Sequence, residues 1–118
     1  MSASRTDEQQ AQQGLQRLDT LLQHRARLGA CVLLAKTTAL SFSRLKMLLE
    51  ETDGNLGAQL RKLEEAGYLE VRKEFQNRKP VSWYSLTPAG RTALGTHIRA
   101  IQDLVALVPA EGRTKTKA

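Results

Sequence analysis

The stretch from Ser41 to Val71 reads SFSRLKMLLEETDGNLGAQLRKLEEAGYLEV, and it predicts two consecutive helices followed by a strand. Ser41 is a favourable N-cap residue for the first helix. Phe42, Leu45 and Leu49 follow at spacings of three and four, which places them on one helical face. The first part of the stretch is therefore a short amphipathic helix.

A second helix follows almost at once. Thr52 or Asp53 can cap its N-terminus, and Gly67 supplies the left-handed residue that commonly ends a helix. Its predicted buried face consists of Leu56, Leu60 and Leu63. Because only a short turn separates the two helices, the stretch predicts a helix-turn-helix unit.

Beyond Gly67 the pattern changes from helical to alternating, which predicts a half-buried strand. The apolar residues Leu69, Val71 and Phe75 alternate with Glu70, Arg72 and Glu74. Residues 76–80 are predicted to form a polar turn, and residues 81–86 a return strand rich in β-favouring residues. The helix-turn-helix is thus followed by a hairpin in the position of a wing.

Further helices are predicted on both sides of this central part. Residues 1–14 are polar and lack apolar periodicity, so we expect a flexible N-terminal tail. From Leu15 to Lys36 the spacing is helical, in one long helix or in two helices divided near Gly29. Thr87 and Pro88 begin a last helix that is predicted to continue to residue 108, before a basic tail at residues 109–118.

The predicted fold class is mainly α with a small β-hairpin (α+β). It is a winged helix-turn-helix with a three-helix core, a wing and long terminal helices, in a single domain at residues 15–108.

Composition limits the possible functions. The chain has 118 residues and 18 lysines and arginines against 12 acidic residues, a net charge of +6 that favours polyanionic partners. The longest strongly apolar stretch, residues 28–34, is far shorter than the roughly 20 residues of a membrane span. The N-terminus lacks the apolar core of a secretory signal, and the lone Cys31 has no disulfide partner in the chain. We therefore expect a cytoplasmic, nucleoid-associated protein with no membrane partner.

Basic and amide side chains on the second helix and on the wing suit double-stranded DNA. Amides and guanidinium groups can pair with base edges, and small residues let a helix approach the floor of the major groove. The candidate DNA-binding residues are Ser43, Arg44, Asn55, Ala58, Gln59, Arg61, Lys62, Arg72, Lys73, Arg78 and Lys79. In isolation these charges also fit an ordinary solvated surface, and the fold also allows a protein-interaction module that does not bind DNA.

The sequence also resembles a known group of proteins. Its resemblance is carried by Thr52-Asp53-Gly54-Asn55-Leu56, Leu60, Leu63-Glu64, Ala66-Gly67-Tyr68, Lys73, Phe75, Arg78-Lys79-Pro80, Tyr84, Leu86-Thr87, Gly90-Arg91 and Ala93-Leu94. Over residues 18–107 the chain is similar to compact bacterial and archaeal winged-helix DNA-binding proteins related to the MarR and ArsR regulators. Gly57 and Gln59 stand where that group usually has serine and histidine, and Ser82 where threonine is usual.

The resemblance implies a transcriptional regulator, namely a repressor, that binds a palindromic or near-palindromic operator as a homodimer. The candidate dimer-interface residues are Leu15, Leu18, Leu22, Ile101, Leu104 and Val108. Packing of the first and last helices within one chain is the alternative explanation for the same residues.

Catalysis and cofactor chemistry are not expected. The chain lacks a glycine-rich phosphate loop, a nucleophile next to a histidine and an identifiable carboxylate pair. His24, His97 and Cys31 lack the spacing of a metal-ligand cluster, so we expect no bound metal and no cofactor. A small-molecule effector is left open by the sequence.

Overall fold

The computed structural model describes residues 4–110. Its elements are α1 (Arg5–Arg17), α2 (Arg25–Ala35), β1 (Leu40–Ser41), α3 (Phe42–Leu49), α4 (Asp53–Glu65), β2 (Leu69–Gln76), β3 (Lys79–Leu86) and α5 (Pro88–Val105). A short 3₁₀ turn at Thr20–Leu22 separates α1 from α2. This order confirms the predicted winged helix-turn-helix.

The helix α1 lies where the sequence predicted a flexible tail, so that prediction is wrong from residue 5 onward. Ser4 caps the helix by accepting the backbone N–H of Asp7 at 3.0 Å. The packing partner is α5, whose Leu104 lies so close to Gly14 that a Cβ there would be 2.9 Å from its Cδ2. This contact is remote in sequence, which is why the polar composition of α1 did not reveal the helix.

The predicted helical run from Leu15 to Lys36 is interrupted between residues 18 and 24 and is continuous at Gly29. Asp19 accepts the backbone N–H of Leu21 at 2.9 Å and so starts the 3₁₀ turn. Gly29 instead makes room for Leu49, whose Cδ2 would lie 2.6 Å from an added Cβ. Here glycine permits close packing between helices and does not end one.

Local signals placed the helix-turn-helix correctly. Ser41 and Thr52 cap α3 and α4 by accepting the backbone N–H of the third residue onward, at 3.1 and 3.2 Å. Glu50, with φ 55°, turns the chain between the two helices. Gly67 has φ 81° and ends α4, as the sequence predicted.

The sheet is antiparallel with strand order β1-β3-β2. Only its hairpin was predicted, because β1 is two residues long and is defined by its pairing with β3. The predicted turn at residues 76–80 is too long, since Asn77 and Arg78 alone connect β2 to β3. Pro80 lies within β3 opposite Phe75, where β3 lacks a second neighbouring strand and the missing N–H of proline is tolerated.

The core lies where α2, α3, α4 and the sheet meet. Its largest fully buried side chains include Leu22, Leu34, Leu45, Leu56, Leu60 and Leu63. At Gly90, α5 approaches the backbone oxygen of Tyr68 so closely that no Cβ fits, which fixes α5 against the start of β2.

The molecule is elongated. It measures 63 × 32 × 23 Å, and its radius of gyration of 17.5 Å exceeds the roughly 13 Å of a compact domain of this length. The helix α5 ends at Val105, three residues before the predicted end, and is followed by a turn. Within residues 4–110, no helix is long and apolar enough to cross a membrane.

Candidate nucleic-acid interface

The helix α4 buries one side and exposes the other. Its buried leucines are Leu56, Leu60 and Leu63, each at most 1% exposed. Its outer side carries Gly54, Asn55, Arg61 and Lys62, with Gly57 and Ala58 half-buried. A Cβ added at Gly54 or Gly57 would meet nothing within 4 Å, so the backbone of α4 is open to close approach from outside. This surface has the size and chemistry that fit the major groove of DNA.

Gln59 does not belong to this outer surface. The sequence placed it among the DNA-binding residues, and the structure shows that this prediction is wrong. Its side chain is only 8% exposed, and its Oε1 accepts a hydrogen bond from Nη1 of Arg27. Its Nε2 donates to Oδ1 of Asn55 at 3.3 Å, while Nε of Arg27 donates to the backbone oxygen of Leu21 at 2.6 Å. Gln59 therefore ties α4 to α2. Its position three residues after Leu56 was the sequence signal for this orientation.

Ser43 and Arg44 lie exposed in the first turn of α3. Backbone N–H groups at a helix N-terminus and a nearby guanidinium suit a phosphate contact. An ion pair between Lys46 and Asp53, at 2.9 Å, links α3 to the first residue of α4. The two helices of the helix-turn-helix thus present one connected surface.

A groove of about 330 Å³ lies between α4 and the wing. It is lined by Phe42, Gly57, Arg61, Glu64, Val71, Lys73, Ser82 and Tyr84. Arg61 and Lys73, which are remote in sequence, are both exposed and line the same groove. Burial is the main cause that raises the pKa of Tyr84, so its phenol stays neutral at physiological pH. The groove therefore brings one cation from the helix and one from the wing to the same side of the protein.

The basic residues of the wing differ in their surroundings. Nε of Arg72 donates to a carboxylate oxygen of Glu74 at 2.9 Å, so this cation is already paired with an anion. Alternation along β2 places both residues on the face opposite Lys73. Arg78 and Lys79 are exposed at the tip. Lys73, Arg78 and Lys79 are therefore the stronger phosphate-binding candidates on the wing.

The wing turn contains two non-glycine residues with left-handed backbone. Asn77 has φ 51° and Arg78 has φ 67°. Positive φ at both central positions is the geometry of a type I′ hairpin turn, in which asparagine followed by glycine is the favoured pair. Arginine at the second position costs conformational energy, and such strain is concentrated at functional sites.

Phe75 is exposed, although the sequence predicted a place for it on the buried side of β2. Its side chain is 75% exposed. The hairpin extends beyond the core, so the face that carries Leu69 and Val71 has no helix behind it at Phe75. Sequence alternation identified the face correctly but did not reveal where the supporting core ends.

The candidate dimer-interface residues divide into two groups. Leu22 is fully buried within the single chain, which contradicts its predicted place in an interface. Leu104 packs on Gly14 within the chain, and Leu18 and Ile101 are half-buried. Leu15 is 60% exposed and Val108 is 39% exposed, and Val105, which the prediction missed, is 46% exposed. The helices α1 and α5 and the turn after α5 thus carry exposed apolar side chains.

A half-buried polar cluster joins α5 and the residue before β2 to the residue that starts the 3₁₀ turn. The backbone N–H of Asp19 donates to Nδ1 of His97 at 2.9 Å, and the hydroxyl of Tyr68 donates to Oδ2 of Asp19. The hydrogen bond to this carboxylate, helped by burial, raises the pKa of Tyr68 to about 12. Burial, assisted by the negative charge of Asp19, raises the pKa of Cys31 to about 11.

The raised pKa keeps the Cys31 thiol protonated at neutral pH, as expected of a buried and unreactive cysteine. Between residues 4 and 110, no group of three or more His, Cys, Asp or Glu side chains is arranged so that it could hold a metal ion.

Comparison with known sequences identifies the domain. A family model described as a winged helix DNA-binding domain matches residues 26–105. An uncharacterized protein of Methanocaldococcus jannaschii is 38% identical over 63 residues, which cover 53% of this chain and 68% of the relative.

Comparison with solved structures places the fold among transcriptional regulators. A transcriptional regulator homologue from Pyrococcus horikoshii superposes with a TM-score of 0.73 at 21% identity, covering 83% of this chain and 95% of that one. A MarR-family regulator from Silicibacter pomeroyi gives 0.55 at 21% identity, covering 87% and 66%. BpsR of Bordetella bronchiseptica, whose DNA binding is regulated by 6-hydroxynicotinic acid, gives 0.62 at 16% identity, covering 92% and 85%. At these identities the likeness establishes the fold.

Proposed function

The chain belongs to the family of winged helix DNA-binding domains, and from this premise we propose that it recognises specific sites on double-stranded DNA as a homodimer. It regulates transcription there, as a repressor that occupies promoter DNA. A regulator of this kind acts on the nucleoid in the cytoplasm. Its activity is binding and requires no catalysis.

The observation that carries this proposal is the shared surface of α4 and the wing. Arg61 and Lys73 line one groove, and the basic wing tip continues from it. With α4 in the major groove, the exposed side of the helix that carries Arg61 faces the base edges, and the wing reaches the adjacent backbone or minor groove. Asn55 and Lys62 flank Arg61 on the exposed side and complete the reading surface.

The apolar surface of α1, of α5 and of the turn after α5 supports the proposed dimer. Leu15, Val105 and Val108 are large apolar residues that stay substantially exposed in the single chain. Packing this surface against a second copy buries it and relates the two α4 helices by a two-fold axis. We expect the operator to contain two half-sites separated by about one helical turn, roughly 34–36 Å.

Binding to selected genomic fragments tests the proposal. Fluorescence anisotropy with a selected fragment and a scrambled fragment should show tighter binding to the selected DNA, with affinity that falls steeply as salt rises. Arg61→Ala should weaken binding to the selected fragment more than to the scrambled one, because a base contact is lost.

The control variant is Arg99→Ala, which removes an exposed arginine from α5 and should leave both affinities unchanged. Equal losses on the two fragments in Arg61→Ala would remove the base-reading role from Arg61. Absence of any sequence-selected binding by the unmodified protein would instead favour a protein-interaction module.

A further inference from the structure

We propose that Phe75, supported by Pro80 across the hairpin, is an uncharged DNA contact of the wing whose ring lies in the minor groove. This inference rests on the proposed function and adds a contact that is insensitive to salt. The partner it commits to is duplex DNA.

The first argument is the exposure of the ring. Phe75 is 75% exposed, which leaves most of a large apolar side chain in water. Its partner in the hairpin register is Pro80, another residue with an apolar surface. Together they make a small apolar platform near the wing tip, past the rung of Val71 and Tyr84 where the core ends.

The second argument is the face on which the ring lies. Side chains alternate along a strand, so Val71, Lys73 and Phe75 share one face of β2. Val71 and Lys73 line the groove opposite Arg61 of α4. Phe75 continues that line outward, toward the place that the proposed duplex occupies when α4 lies in its major groove.

The third argument is the charge around the platform. Lys73 lies on the same face two residues before Phe75, and the tip carries Arg78, whereas Lys79, opposite Gln76 in the register, lies on the other face of the hairpin. A partner that covers the ring must therefore present apolar surface between negative charges. The minor groove offers deoxyribose edges between two rows of phosphates, and apolar side chains are known to enter it.

A second copy that docked through its own wing does not meet this requirement, because its cations would lie against the cations of the first wing. The acidic residue nearest on β2, Glu74, lies on the opposite face and is paired with Arg72. Among the residues of β2 and β3, the one charged side chain on the face of the platform is therefore the cation Lys73.

The salt dependence of binding separates this contact from the ionic ones. We would measure the Kd of the unmodified protein, Phe75→Ala, Phe75→Leu and Lys79→Ala on one selected fragment at a series of salt concentrations. Phe75→Ala should weaken binding about 5- to 20-fold by the same factor at every salt concentration, because no phosphate contact is lost. Phe75→Leu should recover part of this loss.

Lys79→Ala is the matched control, because it removes a charge from the same hairpin. It should make the slope of log K against log salt less negative by about 0.9 for each wing. All variants should keep the unfolding temperature of the unmodified protein to within a few degrees, since both side chains are exposed.

A ligand that occupies the minor groove tests which groove of the DNA Phe75 contacts. When an oligoamide ligand occupies the minor groove of the fragment, Phe75→Ala and the unmodified protein should bind with equal affinity. A difference that persists with the ligand bound would overturn the minor-groove placement.

The possible failures can be told apart. If the unmodified protein binds and Phe75→Ala binds equally well, this inference is wrong while the proposed function stands. The same conclusion holds if Phe75→Ala makes the slope of log K against log salt less negative, as Lys79→Ala does. If the unmodified protein binds no fragment selectively, the proposed function and the inference fail together.

Discussion

Replacement of Arg78 by glycine should strengthen the fold and weaken DNA binding at the same time. Arg78 occupies the second central position of a two-residue turn with φ 67°. A side chain in left-handed backbone costs about 1–2 kcal/mol, and glycine removes that cost. Part of the gain is offset because glycine makes the unfolded chain more flexible, by about 0.5–1 kcal/mol.

The net expectation for Arg78→Gly is a free energy of unfolding higher by about 0.5–1 kcal/mol, which raises Tm by a few degrees in a domain of this size. Thermal unfolding followed by circular dichroism measures this shift. The same variant removes a wing-tip cation, so the slope of log K against log salt should become less negative by about 0.9 for each wing. Stability and binding therefore change in opposite directions.

Lys79→Gly provides the comparison, because it removes a neighbouring charge from β3, where the backbone is extended. We expect it to reduce the salt slope similarly and to lower stability, since glycine weakens a strand. A lower Tm for Arg78→Gly would show that the turn is not strained by arginine. Unchanged binding and salt slope would show that Arg78 does not contact DNA.

Three other predictions follow from single sites. Gly57→Ala should raise the free energy of unfolding by up to about 1 kcal/mol, because alanine favours a helix more than glycine does and the new methyl group meets nothing within 4 Å. Chemical denaturation measures this change, and a decrease in the free energy of unfolding would contradict the prediction. Cys31, with a pKa raised from 9.0 to about 11, should react with a disulfide reagent at pH 8 at least 100-fold more slowly in the native than in the unfolded protein. Because the raised pKa favours the protonated thiol in the native state, the contribution of Cys31 to stability is full below pH 9.0 and is lost as the pH rises through about 11. Rapid reaction of the native protein with the disulfide reagent would refute the burial of Cys31. Leu15→Glu should convert the proposed dimer to a folded monomer in sedimentation analysis, with Lys36→Glu as an exposed control. A dimer that persists in Leu15→Glu would exclude the α1 surface from the interface.

The parts of the fold that were predicted correctly depend on interactions between residues close in sequence. Ser41, Thr52 and Thr87 each cap a helix by accepting a backbone N–H three residues ahead. Gly67 ends α4 because its own backbone adopts φ 81°. Such features need no knowledge of the rest of the chain.

The candidate DNA surface was predicted less completely. The spacing of leucines along α4 showed which side is buried, and Arg61 and Lys62 are exposed as expected. Gln59 was assigned to the wrong side because its burial requires Arg27 of α2 as a hydrogen-bond partner. Phe75 was expected to be half-buried because alternation reports the face of a strand and carries no information on the extent of the core.

The sequence by itself determined the helix-turn-helix, the hairpin after it and the start of α5, because caps, turn residues and hydrophobic periods act over a few residues. Only the tertiary structure decided that residues 5–17 form a helix, that Leu40 and Ser41 form a strand and that Leu22 belongs to the core. Each of these depends on a partner far along the chain: α5 for α1, β3 for β1 and the assembled helices for Leu22. These three features are stabilised only after distant segments of the chain have packed together, and no local sequence pattern indicates which segments will pack.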